Sequence, residues 1–319
     1  MMDCYVGVDT SNYTTSVAVC DASGRVVANF KRPLPVKAGQ KGLRQSDAVF
    51  EHVRNLPFLM EKLRTFLAEG KYRPVAVGVS RTPRDAEGSY MPCFLSGYAA
   101  ASSFAAATNL PLYGFSHQNG HVMAALYSSG KEEIAEGQFL AFHVSGGTTE
   151  ALLCRPSGVA FRVELVGETA DINAGQAIDR VGVAMGLAFP AGRELEALAS
   201  AYSGKIPKHP VTVRDGRCSL SGVENLALKM LSEGRSKEEV AAFVFRFVER
   251  TLTAMGEQIM EKHGAMPVLF AGGVMSNRWM RKYLAERFDA AFSEPEFSAD
   301  NAAGIALLCR KQHLFGENV

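Results

Sequence analysis

An internal repeat restricts the fold of this chain more than any other feature. Residues 5–24 read YVGVDTSNYTTSVAVCDASG and residues 139–158 read FLAFHVSGGTTEALLCRPSG. They align without a gap: Ser11 with Ser145, Thr14 with Thr148, Thr15 with Thr149, Cys20 with Cys154, Ser23 with Ser157 and Gly24 with Gly158. Each copy is an apolar strand, a turn of small hydroxyl and glycine residues, a second apolar strand and a Ser-Gly turn, the pattern of a β-hairpin. Later elements recur in the same order. The buried-type strands 74–81 and 267–274 are followed by helical stretches 93–108 and 275–288, short strands 111–116 and 289–293, and last helices over about 117–128 and 300–315. The chain therefore reads as two copies of a β-β-β-α-β-α-β-α unit, an α/β fold of two domains, 1–130 and 131–319. Helices at 173–186, 192–203 and 236–263 enlarge the second copy, and the last helix is expected to pack back towards the first.

Whole-chain properties bound the function. At 319 residues there is room for a real core in each domain. A hydrophobic content of 47% and a charged content of 21% are those of a globular protein in water. No apolar run approaches the roughly 20 residues of a membrane span, and the start MMDCYVGVDT does not read as a signal peptide. The six cysteines form no CxxC pair, so the expectation is a reducing cytoplasm with neither a zinc ribbon nor a disulfide framework. A net charge of +1 argues against binding nucleic acid with the whole surface. A local strip with Arg25, Lys31, Arg32, Lys37, Lys41 and Arg44 and no acid could touch RNA phosphates or simply be a solubilising loop.

Two sets of residues suggest chemistry. His117 and His121 lie at i and i+4 of one helix, on one face. Asp300 falls at the corresponding helix start of the second copy, and pseudo-symmetry would bring the two starts together. Two imidazoles and a carboxylate with open positions suit Fe(II), Mn(II) or Zn(II). The paired hairpin tips suit a nucleotide, because small residues let backbone amides approach phosphates. In the second tip the amides of Ser145, Gly146 and Gly147 are the candidates.

The stretches FSHQNGH, HVSGGTTE, AGQAIDRVGVAMGLAFPAG, LSGVENLAL, LFAGGVMSNRWMRKYLAE and SADNAAGIAL resemble, in order and spacing, the TsaD family, formerly called Gcp glycoproteases. That resemblance implies the duplicated actin/sugar kinase/Hsp70 fold and transfer of threonylcarbamoyl from its adenylate to tRNA adenosine. It implies a divalent metal on His117, His121 and Asp300, with iron(II) foremost. It implies adenine-nucleotide binding, ATP or the adenylate, by His143, Val144, Ser145, Gly146, Gly147, Asp179, Gly192, Glu196, Gly272, Gly273 and Asn277. On the residues alone, Asp179 could equally be an exposed helix carboxylate and Gly272–Gly273 a plain turn. The resemblance also implies tRNA and protein partners, with helix 46–70 matching the partner-binding helix, though on the residues alone it could equally be ordinary packing against the first sheet.

Departures from the family pattern lie on the acceptor side. The first turn is DTSNYTTS, where the family usually has Glu-Thr-Ser-Cys-Asp-Glu-Thr. Asp9 keeps the first carboxylate and is the candidate catalytic residue, while Tyr13 and Thr14 replace an acidic pair. The family's glycine-proline-glycine loop is replaced by SRTPRDAEGSYMP (80–92), and Thr148 stands where a histidine is usual. Alternatives follow: a paralogue transferring another carbamoyl or acyl group, or a non-catalytic nucleotide-binding partner of a true family member. A sugar kinase fits less well, since a His-His-Asp set serves neither Mg²⁺ binding nor base catalysis, and nothing resembles a protease nucleophile or an HExxH motif.

Overall fold

In the computed structural model, residues 1–11, 13–35 and 43–316 are described. Lys37 and Lys41 of the basic strip lie outside them. The chain divides into two compact units, one of residues 1–127, 156–163 and 299–319, the other of 128–155 and 164–298.

The first unit is built on strands β1 (Met2–Thr10), β2 (Thr14–Asp21), β3 (Val26–Pro33), β4 (Tyr72–Thr82) and β5 (Leu112–Ser116), in the order β3-β2-β1-β4-β5. Helices α1 (Gln45–Glu69) and α2 (Cys93–Thr108), with the C-terminal helix Ala303–Phe315, pack on this sheet, and α3 (His117–Ser129) follows directly on β5. The second unit carries β6 (Phe139–Val144), β7 (Thr149–Ser157), β8 (Ala160–Thr169), β9 (Val213–Arg214), β10 (Arg217–Cys218), β11 (Val268–Ala271) and β12 (Ala290–Phe292). Their order is β12-β11-β6-β7-β8-β10-β9. Its main helices are α4 (Ala174–Ala184), α5 (Gly192–Ala201), α6 (Gly222–Ser232), α7 (Lys237–His263) and α8 (Arg278–Arg287).

The repeat survives at the level of register. Tyr5 faces Cys20 and Thr10 faces Thr15 across β1–β2. Phe139 faces Cys154 and Val144 faces Thr149 across β6–β7, the same pairs in the second copy. In both units the first strand then pairs in parallel with a strand from much later in the chain, β4 in one and β11 in the other. Three differences from the sequence expectation are local. Residues 273–276 form a separate 3₁₀ turn before α8, so the expected helix 275–288 is broken at Asn277. α6 and the short β9–β10 pair were not expected, because their periods are too short to read. Asp300 precedes the C-terminal helix, which begins at Ala303, instead of lying in its first turn.

Each core follows from the strand pattern. In the second unit Phe142, Phe270 and Phe292 sit side by side on adjacent strands and stack with centroids 5.2 Å apart at each step. Phe142 and Phe270 are fully buried. In the first unit Val6, Val8, Val17, Val19, Val77 and Val79 pack against Leu56, Leu59 and Leu63 of α1. Among the described residues, no helix is long and apolar enough to cross a membrane.

One close approach governs the first unit. A Cβ on Gly304 would meet the carbonyl oxygen of Gly120 at 1.8 Å, so the C-terminal helix lies directly against α3 only because residue 304 has no side chain. Gly304→Ala is therefore expected to destabilise the protein by about 1–3 kcal/mol, the usual range for overpacking, read as a lowered denaturant midpoint. An unchanged midpoint would show that the helices can part without cost.

Candidate metal and nucleotide sites

The metal-type cluster lies wholly within the first unit. Ser116 ends β5 and caps α3: its hydroxyl accepts the amide of Asn119 at 3.2 Å. This cap fixes the first turn of α3, where His117 and His121 follow on one face with ring centroids 4.3 Å apart. Asp300 is presented by the turn before the C-terminal helix. There Asn301 accepts the amide of Ala303 at 3.0 Å and donates to the carbonyl of Ala299 at 2.7 Å. The Gly120–Gly304 contact then brings the two helix starts together.

Asp300 Oδ1 lies 3.1 Å from His121 Nε2 and 3.6 Å from His117 Nε2. The three donor atoms all fall within 4.8 Å of one another. Ligands about 2.0–2.2 Å from one cation stand roughly 3–3.5 Å apart in tetrahedral or octahedral geometry, so this set needs only a small contraction to grip an ion. The three side chains remain partly exposed, at 19%, 20% and 22% for His117, His121 and Asp300, which leaves a face open to substrate.

Behind His117 stands Asp9. It is fully buried, and its Oδ1 accepts Nδ1–H of His117 at 2.8 Å. In the neutral ring that bond would keep the proton on Nδ1 and leave the Nε2 lone pair aimed at the cluster, as in a carboxylate–histidine–metal arrangement. Asp9 thus sits behind a ligand, and its burial keeps it from touching an acceptor directly. Burial lowers the basicity of His117, but the charge of Asp9 and the hydrogen bonds to Asp300 and Asp9 outweigh it and raise the imidazolium pKa to about 10. Burial likewise pushes the Asp9 carboxyl up, and the charge and hydrogen bond of His117 hold it below the ordinary range. Without a cation, a proton occupies the place between the carboxylates.

The second group lies wholly within the second unit. The tip after β6 is a closed turn: Ser145 N–H donates to Thr148 O at 2.7 Å, and the amides of Gly147 and Thr148 donate to Ser145 Oγ at 3.2 and 3.1 Å. The Ser145 amide is therefore engaged inside the loop. The start of α4 is pressed against it, with Gly175 N–H on Ser145 O at 3.1 Å and Ala174 N–H on Thr149 Oγ1 at 2.9 Å. Gly146 and Gly147 have open space where a Cβ would stand. A tight turn beside the positive end of an 11-residue helix suits a phosphate. His143 and Val144 lie on β6 leading into the turn, paired with Glu150 and Thr149.

The remaining nucleotide candidates are joined by hydrogen bonds. Asp179 on α4 accepts the amide of Ala191, next to Gly192, at 2.8 Å. Glu196 on α5 accepts the amide of Arg278 at 2.7 Å, and Asn277 accepts that of Met280 at 2.8 Å, so both satisfy the start of α8. Asn277 is 7% exposed. Gly272, at φ +100°, lets β11 run close past β6: a Cβ there would meet Val144 O at 2.2 Å. Gly273 faces open space.

Sequence reasoning missed two groups. His52 on α1 is fully buried, and its ring bridges the first hairpin tip, Nε2–H donating to Ser11 O at 2.7 Å and Nδ1 accepting from Thr15 Oγ1 at 2.8 Å. Asp171 accepts from the amides of Leu220 and Ser221 and from the Ser219 and Ser221 hydroxyls, pinning the LSG turn before α6. Neither has a partner at readable spacing. In the described part of the basic strip, Arg25 pairs with Asp21, and Arg32 lies over the Phe58 ring.

Comparison with known proteins places these sites in context. The family model for TsaD, tRNA N6-adenosine threonylcarbamoyltransferase, matches residues 40–307. A protein of that name from Thermus thermophilus is 33% identical, over 98% of this chain and 93% of its own. Another from Methanopyrus kandleri is 28% identical, over 94% and 85%. Among solved structures, full-length HypF in its phosphate- and nucleotide-bound form superposes with a TM-score of 0.61 at 13% identity, covering 97% of this chain and 56% of that one. A ROK hexokinase from Thermus thermophilus gives 0.54 at 16%, covering 98% of each. At such identities these structures speak for the fold alone, the duplicated actin/sugar kinase/Hsp70 type.

Two outcomes are expected. His117→Ala, His121→Ala and Asp300→Ala each lose the bound divalent ion while remaining folded, and Asp9→Asn weakens metal affinity by roughly 10–100-fold, read by titration with a chelator. Because His117 carries a proton in the metal-free protein up to about pH 10, metal loading at pH 8 is expected to release about one proton. An ordinary histidine, already neutral there, would release almost none; calorimetry in buffers of different ionisation enthalpy distinguishes the two.

Proposed function

The chain belongs to the tRNA N6-adenosine threonylcarbamoyltransferase family, and from that premise we propose how its own residues carry the reaction. The protein is a transferase. The N6 amine of a tRNA adenosine attacks the carbamoyl carbon of a threonylcarbamoyl-adenylate, the bond to the phosphate oxygen breaks, AMP leaves and the amine gives up a proton. The observation that carries this reading is the His117–His121–Asp300 set with Asp9 behind it.

His117, His121 and Asp300 hold one divalent cation, and two imidazoles with one carboxylate favour Fe(II), with Zn(II) and Mn(II) as chemical alternatives. When bound, the cation supplies positive charge to donor oxygens as the phosphate departs. Asp9 is a positioning residue that holds Nδ1–H of His117, so that when a cation displaces the second proton the Nε2 lone pair is the one directed at it. The turn Ser145–Thr148, with Gly146, Gly147 and the start of α4, receives the nucleotide phosphate. Asp179, Gly192, Glu196, Gly272, Gly273 and Asn277 form the adenosine side, with His143 and Val144 leading into the turn. Glu196 and Asn277 serve here chiefly by fixing the start of α8.

Protein partners of the pathway are part of the proposal. α1 exposes Phe50 at 61%, Val53 at 56% and Phe58 at 49% along one face, opposite buried His52, Leu56, Leu59 and Leu63. Such a stripe is suited to another helix. The cytoplasm suits the six free, buried cysteines and a tRNA substrate.

Tyr13, at 44% exposure, and Thr14 leave the first tip without the family's acidic pair. The expected outcome is that wild-type protein, given the adenylate donor, unmodified tRNA and its partners, forms threonylcarbamoyladenosine, seen by mass spectrometry of the digested nucleosides. Gly146→Ala is expected to keep the fold, because its Cβ meets nothing, and to weaken adenylate binding by crowding the phosphate. Failure of the wild type to modify tRNA under these conditions would overturn the transferase reading.

A further inference from the structure

The segment between β4 and α2, where this chain departs from its family, builds a recess of about 480 Å³ within the first unit. Arg81, Asp85, Tyr90, Phe94, Leu95 and Tyr98 are among the residues lining it. The Arg81 guanidinium lies over the Tyr98 ring at 4.7 Å. Gly114 makes this possible: a Cβ there would meet Cδ of Arg81 at 2.4 Å. Among the described residues, no carboxylate pairs with Arg81. It is thus a ring-stacked cation without a direct ion-pair partner among the described residues, while Tyr90 leaves 62% of its surface in solvent at the rim.

The recess adjoins the metal-type cluster through shared residues. Phe94 lines it and meets the His117 ring at 5.9 Å between centroids. Asp85 accepts from the Ser116 hydroxyl at 3.2 Å and from the Asn119 amide, and Pro83 O accepts the Gln118 amide at 3.0 Å. The segment is therefore tied to the first turn of α3, which carries both histidines. Asp85 Oδ2 is held towards α3 by these two neutral donors and keeps its charge there, while the cation of the recess is Arg81, standing over Tyr98.

A guanidinium held on an aromatic face beside one exposed ring, that of Tyr90, is the chemistry that receives single-stranded nucleic acid: phosphate to the cation, base against the ring. A recess of this size accommodates one nucleotide. We propose that it seats a nucleotide of single-stranded RNA adjoining the acceptor adenosine, its phosphate on Arg81 and its base against Tyr90. The proposal rests on the transferase reading for its substrate and goes beyond it in assigning this chain's divergent segment to RNA.

The test is fluorescence anisotropy with a labelled, unmodified anticodon stem-loop RNA across a salt series, using the full chain and the variants Arg81→Ala, Arg81→Lys and Tyr90→Ala. Arg81→Ala is expected to weaken binding roughly tenfold and to reduce the salt slope by about one. Arg81→Lys should recover the slope. Tyr90→Ala, at an exposed position that folding does not need, is expected to weaken binding roughly tenfold with the slope unchanged. Wild-type affinity and slope in both alanine variants, or no binding of this RNA by the wild type, overturns the proposal. Transfer to tRNA is assayed separately. RNA binding that depends on Arg81 without any transfer supports the recess and counts against the transferase reading; transfer with binding indifferent to Arg81 and Tyr90 does the reverse.

Discussion

The hydrogen bond from His117 Nδ1–H to Asp9 organises the first unit's chemistry. Asp9 lies near the end of β1, fully buried, in a place where an unpaired carboxylate would be very costly. His117 opens α3, more than a hundred residues later. Their pairing satisfies the buried charge, joins the central strand to the helix, and selects the one tautomer that can donate a lone pair forwards. Asp300 completes the arrangement from the other side, close enough to both imidazoles that a proton or a cation must sit among them. A divalent ion at this place would take over the position of that proton, with His117, His121 and Asp300 around it and Asp9 behind.

The two copies of the repeat have kept their backbone and diverged in what the tip holds. The registers Thr10–Thr15 and Val144–Thr149 are equivalent. Yet Asp9 in one copy corresponds to His143 in the other, and Ser11 to Ser145. In the first copy the strand end carries the carboxylate that pairs with His117. In the second, Ser145 closes a glycine turn against the start of α4, with the amides of Gly147, Thr148 and Gly175 donating to its oxygens. One hairpin geometry thereby carries two different tips, and the difference lies in a few side chains.

What the sequence revealed, and what it hid, follows the range of the interactions concerned. Strands and helices with clear periods, such as β1, α2 and α7, could be read directly, and the repeat supplied the pairing order because its second copy checks the first. The histidine pair was visible at helical spacing, and Asp300 through the repeat. Asp9 was visible as a carboxylate, but its place behind His117 depends on a register between β1 and α3 that no local pattern encodes. The same holds for His52, whose partners Ser11 and Thr15 lie on another element, and for Glu196 and Asn277, whose carbonyl-type oxygens close the start of α8. The short β9–β10 pair and the break at Asn277 arise from tertiary contacts and capping, which weak local propensity does not foreshadow.

The altered first tip can be understood through charge. A divalent ion on His117, His121 and Asp300, with Asp9 behind, would be balanced by the two carboxylates, leaving a centre near neutrality. Such a centre attracts a phosphate-bearing donor only weakly at long range and acts at contact. An acidic pair at residues 13 and 14 would add negative charge to the tip that follows Asp9 and repel RNA, offsetting whatever it contributes to proton removal. With Tyr13 and Thr14 there, that repulsion is absent. The proton of the attacking amine then needs no dedicated carboxylate at the tip if it leaves as the carbon–nitrogen bond forms and the amine's acidity rises. The departing phosphate, which gains negative charge as its bond to the carbonyl carbon breaks, is basic enough to take it.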